Sequence, residues 1–304
     1  MKSATRAAVV GMGFGATVIL AVSALVLPTR AAAETNGYNA VYNSSGNCNS
    51  QSPCTASAAF IDASVYVSAT YPNICAVLNH LLSKVVPPTT GAVIDARGIS
   101  GAAALTCTAS PWAGTPPTGG WPPATILLPA TGPVNGVVSP IVIPSGAGWV
   151  LPHGTHLIGL ADGDVAVSGS ASYSGTTIQA ASGFSGTMIS FCNSACSDVS
   201  VEKLSLDGQG QTGVSGIANT YATPGYVKNV TLFQIVLVGL SVGAPGSGPY
   251  SNITFDTNDM VGPSTICLNV GASGTQGFHK ITCTSLNQAP NAVLLDASST
   301  SPLT

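Results

Sequence analysis

Two aspartates stand at the same place in two nearly matching strings, Asp207 in VEKLSLDG and Asp256 in YSNITFDT. Each lies three residues after an apolar residue, Leu204 or Ile253, and Phe233 holds that place in a third string, VKNVTLFQ. On stacked parallel strands two places apart, such carboxylates are about 9.6 Å apart. Inverting glycosidases hold acid and base about 6.5–9.5 Å apart. Asp207 and Asp256, with Asp259 close by, are therefore candidates for a general acid/base pair. Phe233 between them is a candidate platform for a sugar ring. The same aspartates also suit turns, because an Asp side chain accepts backbone N–H groups just ahead of it.

A second column holds Glu202, Lys228, Ser251 and His279. Glu202 and Lys228 are spaced to form an ion pair, and His279 is of the residue type that serves as a general base. Lys228 and His279 are thus candidate substrate-binding residues, and both also fit as plain surface residues. His153 and His156 have a spacing that suits a metal, but no third ligand is evident. Asp95 and Arg97 share one face of a strand, where a structural tie is the simpler role.

The eight cysteines are Cys48, Cys54, Cys75, Cys107, Cys192, Cys196, Cys267 and Cys283. An even count behind an export signal reads as disulfides. Proximity suggests 48–54, 192–196 and 267–283, which leaves 75–107. Cys192-x3-Cys196 is also a zinc spelling, but no second Cys/His pair stands at ligand spacing.

Positioning these groups takes ordered elements, and composition says what kind. Only 6% of the 304 residues are charged and 35 are glycine, which is too apolar and too rich in Val, Ile and Leu for disorder. Lys2 and Arg6 precede AAVVGMGFGATVILAVSALVLP, and Ala31 and Ala33 give an A-x-A cleavage pattern. Residues 1–33 are therefore expected to be a secretory signal, with an uncleaved anchor as the alternative. Cleavage removes Lys2, Arg6 and Arg30, leaving five basic against eleven acidic residues, a net charge near −6. That excludes a nucleic-acid partner, which needs clustered Lys and Arg. No later apolar run is long enough to span a membrane.

Residues 34–72 form a polar segment holding two of the cysteines. In NICAVLNHLLSKVVPP, Ile74, Val77, Leu78, Leu81 and Leu82 follow helical spacing, with Asn73 as N-cap and Pro87 and Pro88 as the stop. The spacing predicts an amphipathic helix over 73–86. The β-helix region is expected to run over 73–300. Short apolar runs bounded by Gly or Pro follow: GAVIDARG (91–98), TILLP (125–129), PIVIP (140–144), THLIG (155–159), TTIQA (176–180) and TMISF (187–191). These read as strands.

From 187 onward the strands repeat. One series is centred on Leu204, Val230, Ile253 and Ile281, with separations of 26, 23 and 28. A second is centred on Ile189, Ile217, Leu240, Leu268 and Leu294, with separations of 28, 23, 28 and 26. A period of this size, with two short strands in each repeat, signals stacked coils. In the first series Leu206, Leu232, Phe255 and Cys283 are expected inside, and Ser205, Thr231, Thr254 and Thr282 outside. Lys203, Asn229, Asn252 and Lys280 fall at a bend, where Asn tolerates left-handed angles. Asn229-Val-Thr and Asn252-Ile-Thr spell glycosylation acceptors, but the lysines hold the same slot without that spelling. The helix is expected to cap the stack just before its first coil. The far end is expected to need a further C-terminal segment or a partner, because a stack exposes apolar ends.

IDAS (61–64), ICAVL (74–78), GAVIDARG, TILLP, TTIQAASGFSGTMI (176–189) and VEKLSLDG resemble secreted bacterial proteins of the pectate-lyase superfamily. The resemblance covers roughly residues 55–300 and implies an all-β fold, a right-handed parallel β-helix. It implies a secreted or cell-envelope location, a polysaccharide or surface-glycan partner and, in the lyases, calcium. No other cofactor is indicated. The superfamily's catalytic strings are not matched: DTND (256–259), PHG (152–154) and FHK (278–280) are the nearest, and Arg97 is the only arginine after residue 33. Two readings follow, a polysaccharide lyase or glycoside hydrolase, and a non-catalytic adhesin-like β-helix that binds glycans or cells.

Overall fold

A computed structural model of the chain describes residues 59–132, 139–162, 175–256, 266–271 and 276–284, with backbone alone for 41–43, 46–47 and 291–295. The expected leader, Asp259 and the Cys48–Cys54 pair lie outside the described residues.

The described chain is all-β with few helices. Its strands are β1 (Val41–Asn43), β2 (Gly46–Asn47), β3 (Ala59–Asp62), β4 (Ala92–Asp95), β5 (Ala124–Leu127), β6 (Ile141–Ile143), β7 (Trp149–Leu151), β8 (Thr155–Ile158) and β9 (Thr177–Ala180). They continue as β10 (Gly186–Phe191), β11 (Val199–Asp207), β12 (Val214–Asn219), β13 (Gly225–Phe233), β14 (Val238–Val242), β15 (Tyr250–Asp256), β16 (Ile266–Val270), β17 (Phe278–Thr284) and β18 (Asn291–Leu295). The larger sheet runs β17-β15-β13-β11-β8-β5-β4-β3-β1-β2, with β9 also on β11 and β6 on β9. The smaller runs β18-β16-β14-β12-β10-β7. From β10 onward the chain alternates between the two. Every described pairing is parallel except β1 with β2 and with β3.

The register follows the apolar ladders. Leu204 pairs with Val230, Val230 with Ile253 and Ile253 with Ile281. Ile189, Ile217, Leu240 and Leu268 align in the other sheet. The last step differs: Leu268 meets Val293, not Leu294. Val-Leu-Leu offers three adjacent apolar residues, so no alternation fixes its register. The ladders meet in one continuous core, in which Leu204, Val230, Ile189 and Ile217 are fully buried.

The bend column is present. Lys203, Asn229, Asn252 and Lys280 have φ of 54°, 54°, 51° and 56°. The pairing register skips them, passing from Glu202–Lys228 to Leu204–Val230. Each long strand therefore turns a corner there, and alternation resumes beyond it.

The helix forms as its pattern predicts. Helix α1 (Ile74–His80) is capped by Asn73, whose side chain accepts from the Ala76 N–H at 3.0 Å. Its last turn widens over Leu81–Val85 and ends at Val86, before Pro87. Ile74, Val77, Leu78, Leu81 and Leu82 are all buried. The helix does not precede the first strand, however. Strand β3 comes before it and pairs parallel with β4, so the helix is the crossover that parallel neighbours require. A second helix of one turn, α2 (Ala102–Leu105), buries Leu105, and a disulfide from Cys75 to Cys107 ties α1 to the segment after it.

Two further disulfides are described, Cys192–Cys196 and Cys267–Cys283. The latter joins β16 of the smaller sheet to β17 of the larger. The former settles the zinc spelling, since both thiols are spent on each other. Ser205, expected outside, is fully buried. It stands where β9 replaces β8 as the neighbour of β11 and pairs with Thr177, a branching that no local pattern signals.

Candidate functional site

The longest strands of the larger sheet carry two sets of polar groups, one at each end of the bend. Beyond the bend, Asp207, Phe233 and Asp256 are in register, as the repeat predicts. Their surroundings differ from what acid/base work needs. Asp207 is 1% exposed. Its carboxylate accepts from the Gln209 N–H at 2.8 Å, Gln209 Nε2 at 2.6 Å and Gln179 Nε2 at 3.1 Å. A carboxylate so covered closes a turn and has no path to a glycosidic oxygen. Phe233 is 6% exposed and offers no ring face to a sugar. Asp256 is half-buried at the end of β15.

The Asp207 arrangement recurs at the start of the sheet. Asp62 Oδ1 accepts from the Ser64 N–H at 2.9 Å and the Ser64 hydroxyl at 2.7 Å. Asp95 accepts from the Arg97 N–H at 3.0 Å and from Arg97 Nε and Nη2 at 2.8 and 2.7 Å. The Arg97 guanidinium bond holds the Asp95 carboxyl below its ordinary value, against partial burial. Each aspartate ends a strand and binds the residue two ahead. The repeated IDAS and IDAR strings are structural turns.

Before the bend lies a different group. The parallel register puts His156 of β8 beside Ser200 of β11, and Ser200 beside Tyr226 of β13. Val199 and Val201 point into the core, so Ser200 and Glu202 share the other face. His156 Nδ1 lies 2.9 Å from Ser200 Oγ, and Ser200 donates to Glu202 Oε1 at 3.3 Å. The Tyr226 hydroxyl donates to the same Glu202 oxygen at 2.7 Å. Since the Ser200 hydrogen goes to Glu202, its oxygen accepts from His156 Nδ1–H. His156 Nε2 then lies 3.5 Å from Asp198 Oδ1, and only a protonated ring pairs with both neighbours. The expected Glu202–Lys228 ion pair gives way to the Tyr226 hydroxyl. Lys228 faces Glu202 in register and is exposed, and Ser251 and His279 continue the column, His279 exposed.

No family model, curated protein or solved structure matches this chain. The residues must therefore carry the reading. His156, Ser200 and Asp198 have the types of a nucleophile, base and orienting acid, but Ser200 is fully buried, so its oxygen cannot reach a scissile carbonyl. Burial raises the Tyr226 phenol, the Ser200 hydroxyl opposes this, and the Glu202 carboxylate adds to it. The phenol therefore stays protonated and serves as a donor, not as a phenolate base. Among the described residues no group of three His, Cys, Asp or Glu is placed to hold a metal, and no helix is long and apolar enough to cross a membrane.

Sequence reasoning placed Glu202, Lys228 and His279 in their column but missed Asp198, Ser200 and Tyr226. Carrying the 26-residue register two positions upstream pairs Ser200 with Tyr226. His156 stands 44 residues before Ser200, outside the repeat period, and no sequence signal places it there.

Proposed function

We propose that this chain is a secreted right-handed parallel β-helix that binds polysaccharide on the outward face of its larger sheet. Alternation between two parallel sheets and the bend column support the β-helix. The resemblance to pectate-lyase-superfamily proteins supports the substrate class. Disulfides suit an oxidising, extracytoplasmic compartment.

The observation that carries the reading is the row His156, Glu202 and Tyr226 on three adjacent strands, tied together by hydrogen bonds in which the buried Ser200 bridges His156 and Glu202. Neighbouring strands lie about 4.8 Å apart, so the sheet offers polar groups at a regular repeat, which suits a linear polymer of repeating units. Glu202 and Tyr226 hold each other's geometry, and preorganised groups lose less entropy on binding. The adhesin-like form of the proposal, binding without turnover, is favoured because Asp207 is buried and spent and the Tyr226 phenol is held protonated.

Affinity electrophoresis against a panel of neutral and acidic polysaccharides tests this. Retardation by at least one glycan is expected, reduced several-fold in Glu202→Gln and in Tyr226→Phe. Loss of neither variant's retardation removes the sheet from the site. Release of unsaturated or reducing sugar from any glycan by the wild-type chain moves the protein to the enzymes.

A further inference from the structure

A cleft of about 370 Å³ opens where three loops meet, the Gly119–Trp121 loop, the turn from Val150 to His153 and the loop closed by the Cys192–Cys196 disulfide. We propose that it is a binding subsite for a neutral pyranose of a glycan chain. The proposal rests on the glycan reading above and adds which kind of sugar is held, and where.

The lining has the dual character a pyranose needs. Trp121 is half-buried and packs against the core, so an indole face is available to the C–H face of a ring. Trp112 forms the wall beside it, and its buried indole N–H has no acceptor among the described residues. Around the rings stand hydroxyl, amide and imidazole groups. Asn193 and Ser194 are exposed on the disulfide loop. His153 Nδ1 lies 2.8 Å from the Ser197 carbonyl. A carbonyl only accepts, so the proton of the neutral ring sits on Nδ1, and Nε2 is left as an acceptor. A sugar hydroxyl can donate to that nitrogen and accept from the Asn193 amide.

Charge decides which sugar. None of the lining residues is Asp, Glu, Lys or Arg. A uronate carboxylate would enter without a cation to replace its water, at a cost that a neutral hydroxyl avoids. A purely apolar ligand would strip water from Asn193, Ser194 and His153 and return no hydrogen bonds.

The cleft is also held in shape. The disulfide closes a loop of only four residues' separation, and Cys192 itself sits at φ 53°. Ser197 and Asp198 follow that loop directly and bond to His153 and His156. The cleft and the polar row on the sheet are thus joined by one segment, so one chain of sugars can lie along both.

All three tryptophans report on this site. Trp112 and Trp121 line it, and Trp149 meets Trp112 edge-on with ring centroids 6.1 Å apart. The test is a fluorescence titration of the full chain with cellohexaose, xylohexaose and mannohexaose, and with hexagalacturonate. Saturable quenching by at least one neutral hexamer is expected, with hexagalacturonate at least tenfold weaker. Trp121→Ala and the exposed-loop variant Asn193→Ala/Ser194→Ala are each expected to weaken binding at least tenfold with unchanged circular dichroism. If Trp121→Ala does not fold, the loop variant decides. Equal or tighter hexagalacturonate binding overturns the proposal, as does neutral binding that survives a folded variant. Binding lost in Glu202→Gln but kept in the cleft variants leaves the sheet reading standing and rejects the cleft. Failure of every glycan to bind the wild-type chain overturns both.

Discussion

The Asn252 side-chain amide donates to Asn229 Oδ1 on the neighbouring strand at 2.9 Å, and both residues sit at left-handed φ. The two are the asparagines of Asn-Val-Thr and Asn-Ile-Thr. Their recurrence 23 residues apart follows from the strand repeat, because the corner each strand turns needs a residue that tolerates positive φ. The amide of one then bonds the next.

Lysine fills that corner at Lys203 and Lys280 with the same backbone angles. A left-handed non-glycine residue other than Asn or Asp costs about 1–2 kcal/mol, and Lys brings no amide to the ladder. Lys280→Asn is therefore expected to stabilise the fold by about 1 kcal/mol and extend the ladder by one step. Asn252→Ala is expected to cost about 1–2 kcal/mol, from the lost bond and the poorer backbone fit. Urea denaturation of the three proteins checks both. A destabilised Lys280→Asn rejects the ladder as the reason for the corner.

Asp207 gives the second expectation. Replacing it with Ala leaves two Gln209 donors and the Gln179 amide without their shared acceptor, at about 1–3 kcal/mol for a buried group left unpaired. Asp207→Ala is expected to lower Tm by several degrees while glycan retardation of the folded protein stays unchanged. Retained Tm with lost retardation would return Asp207 to the binding site.

Much of this was legible in the sequence, and the limits have physical causes. Leu204, Val230, Ile253 and Ile281 could be aligned because inward residues of stacked strands must be apolar, and period-2 alternation fixes their phase. Asn73 and the helical spacing after it placed α1, since capping and amphipathicity are local. Ser205 and His156 were illegible for the opposite reason. Their surroundings are set by β8 and β9, which join β11 from outside the regular repeat. His156 joins the polar row only through that junction and shares no repeat spacing with it, whereas Ser200 and Tyr226 keep the 26-residue register.

The Cys75–Cys107 disulfide closes a loop of 32 residues' separation that contains α1, β4 and α2. By loop-closure entropy such a bridge is worth about 3–4 kcal/mol. Cys75→Ala/Cys107→Ala is expected to lose about that much in guanidinium unfolding, and more than Cys192→Ala/Cys196→Ala, whose short loop constrains the unfolded chain less. Equal losses for the two pairs would show that strain or unfolded-state structure outweighs chain entropy here.

Tyr250 supplies a pH test of the core. Its hydroxyl donates to Ser247 Oγ at 2.8 Å and accepts from Asn219 Nδ2 at 2.8 Å, while its ring stacks on Phe278 with centroids 5.3 Å apart. Burial pushes the phenol up to about 12, with Ser247 and Asn219 pulling weakly the other way. The unfolded chain releases this proton near the ordinary value of 10.0, so above that pH the folded state binds more protons than the unfolded one. Stability from this group is fully present below pH 10 and is lost as pH rises through the folded value. Two pH units correspond to about 2.7 kcal/mol, so a loss on the order of 2–3 kcal/mol between pH 10 and 12 is expected. Tyr250→Phe has no phenol to ionise and is expected to lose correspondingly less over that window. It is less stable than the wild type at pH 7 by about 1–2 kcal/mol, because Asn219 and Ser247 lose a buried partner. Parallel losses in the two proteins would assign the alkaline transition to other groups.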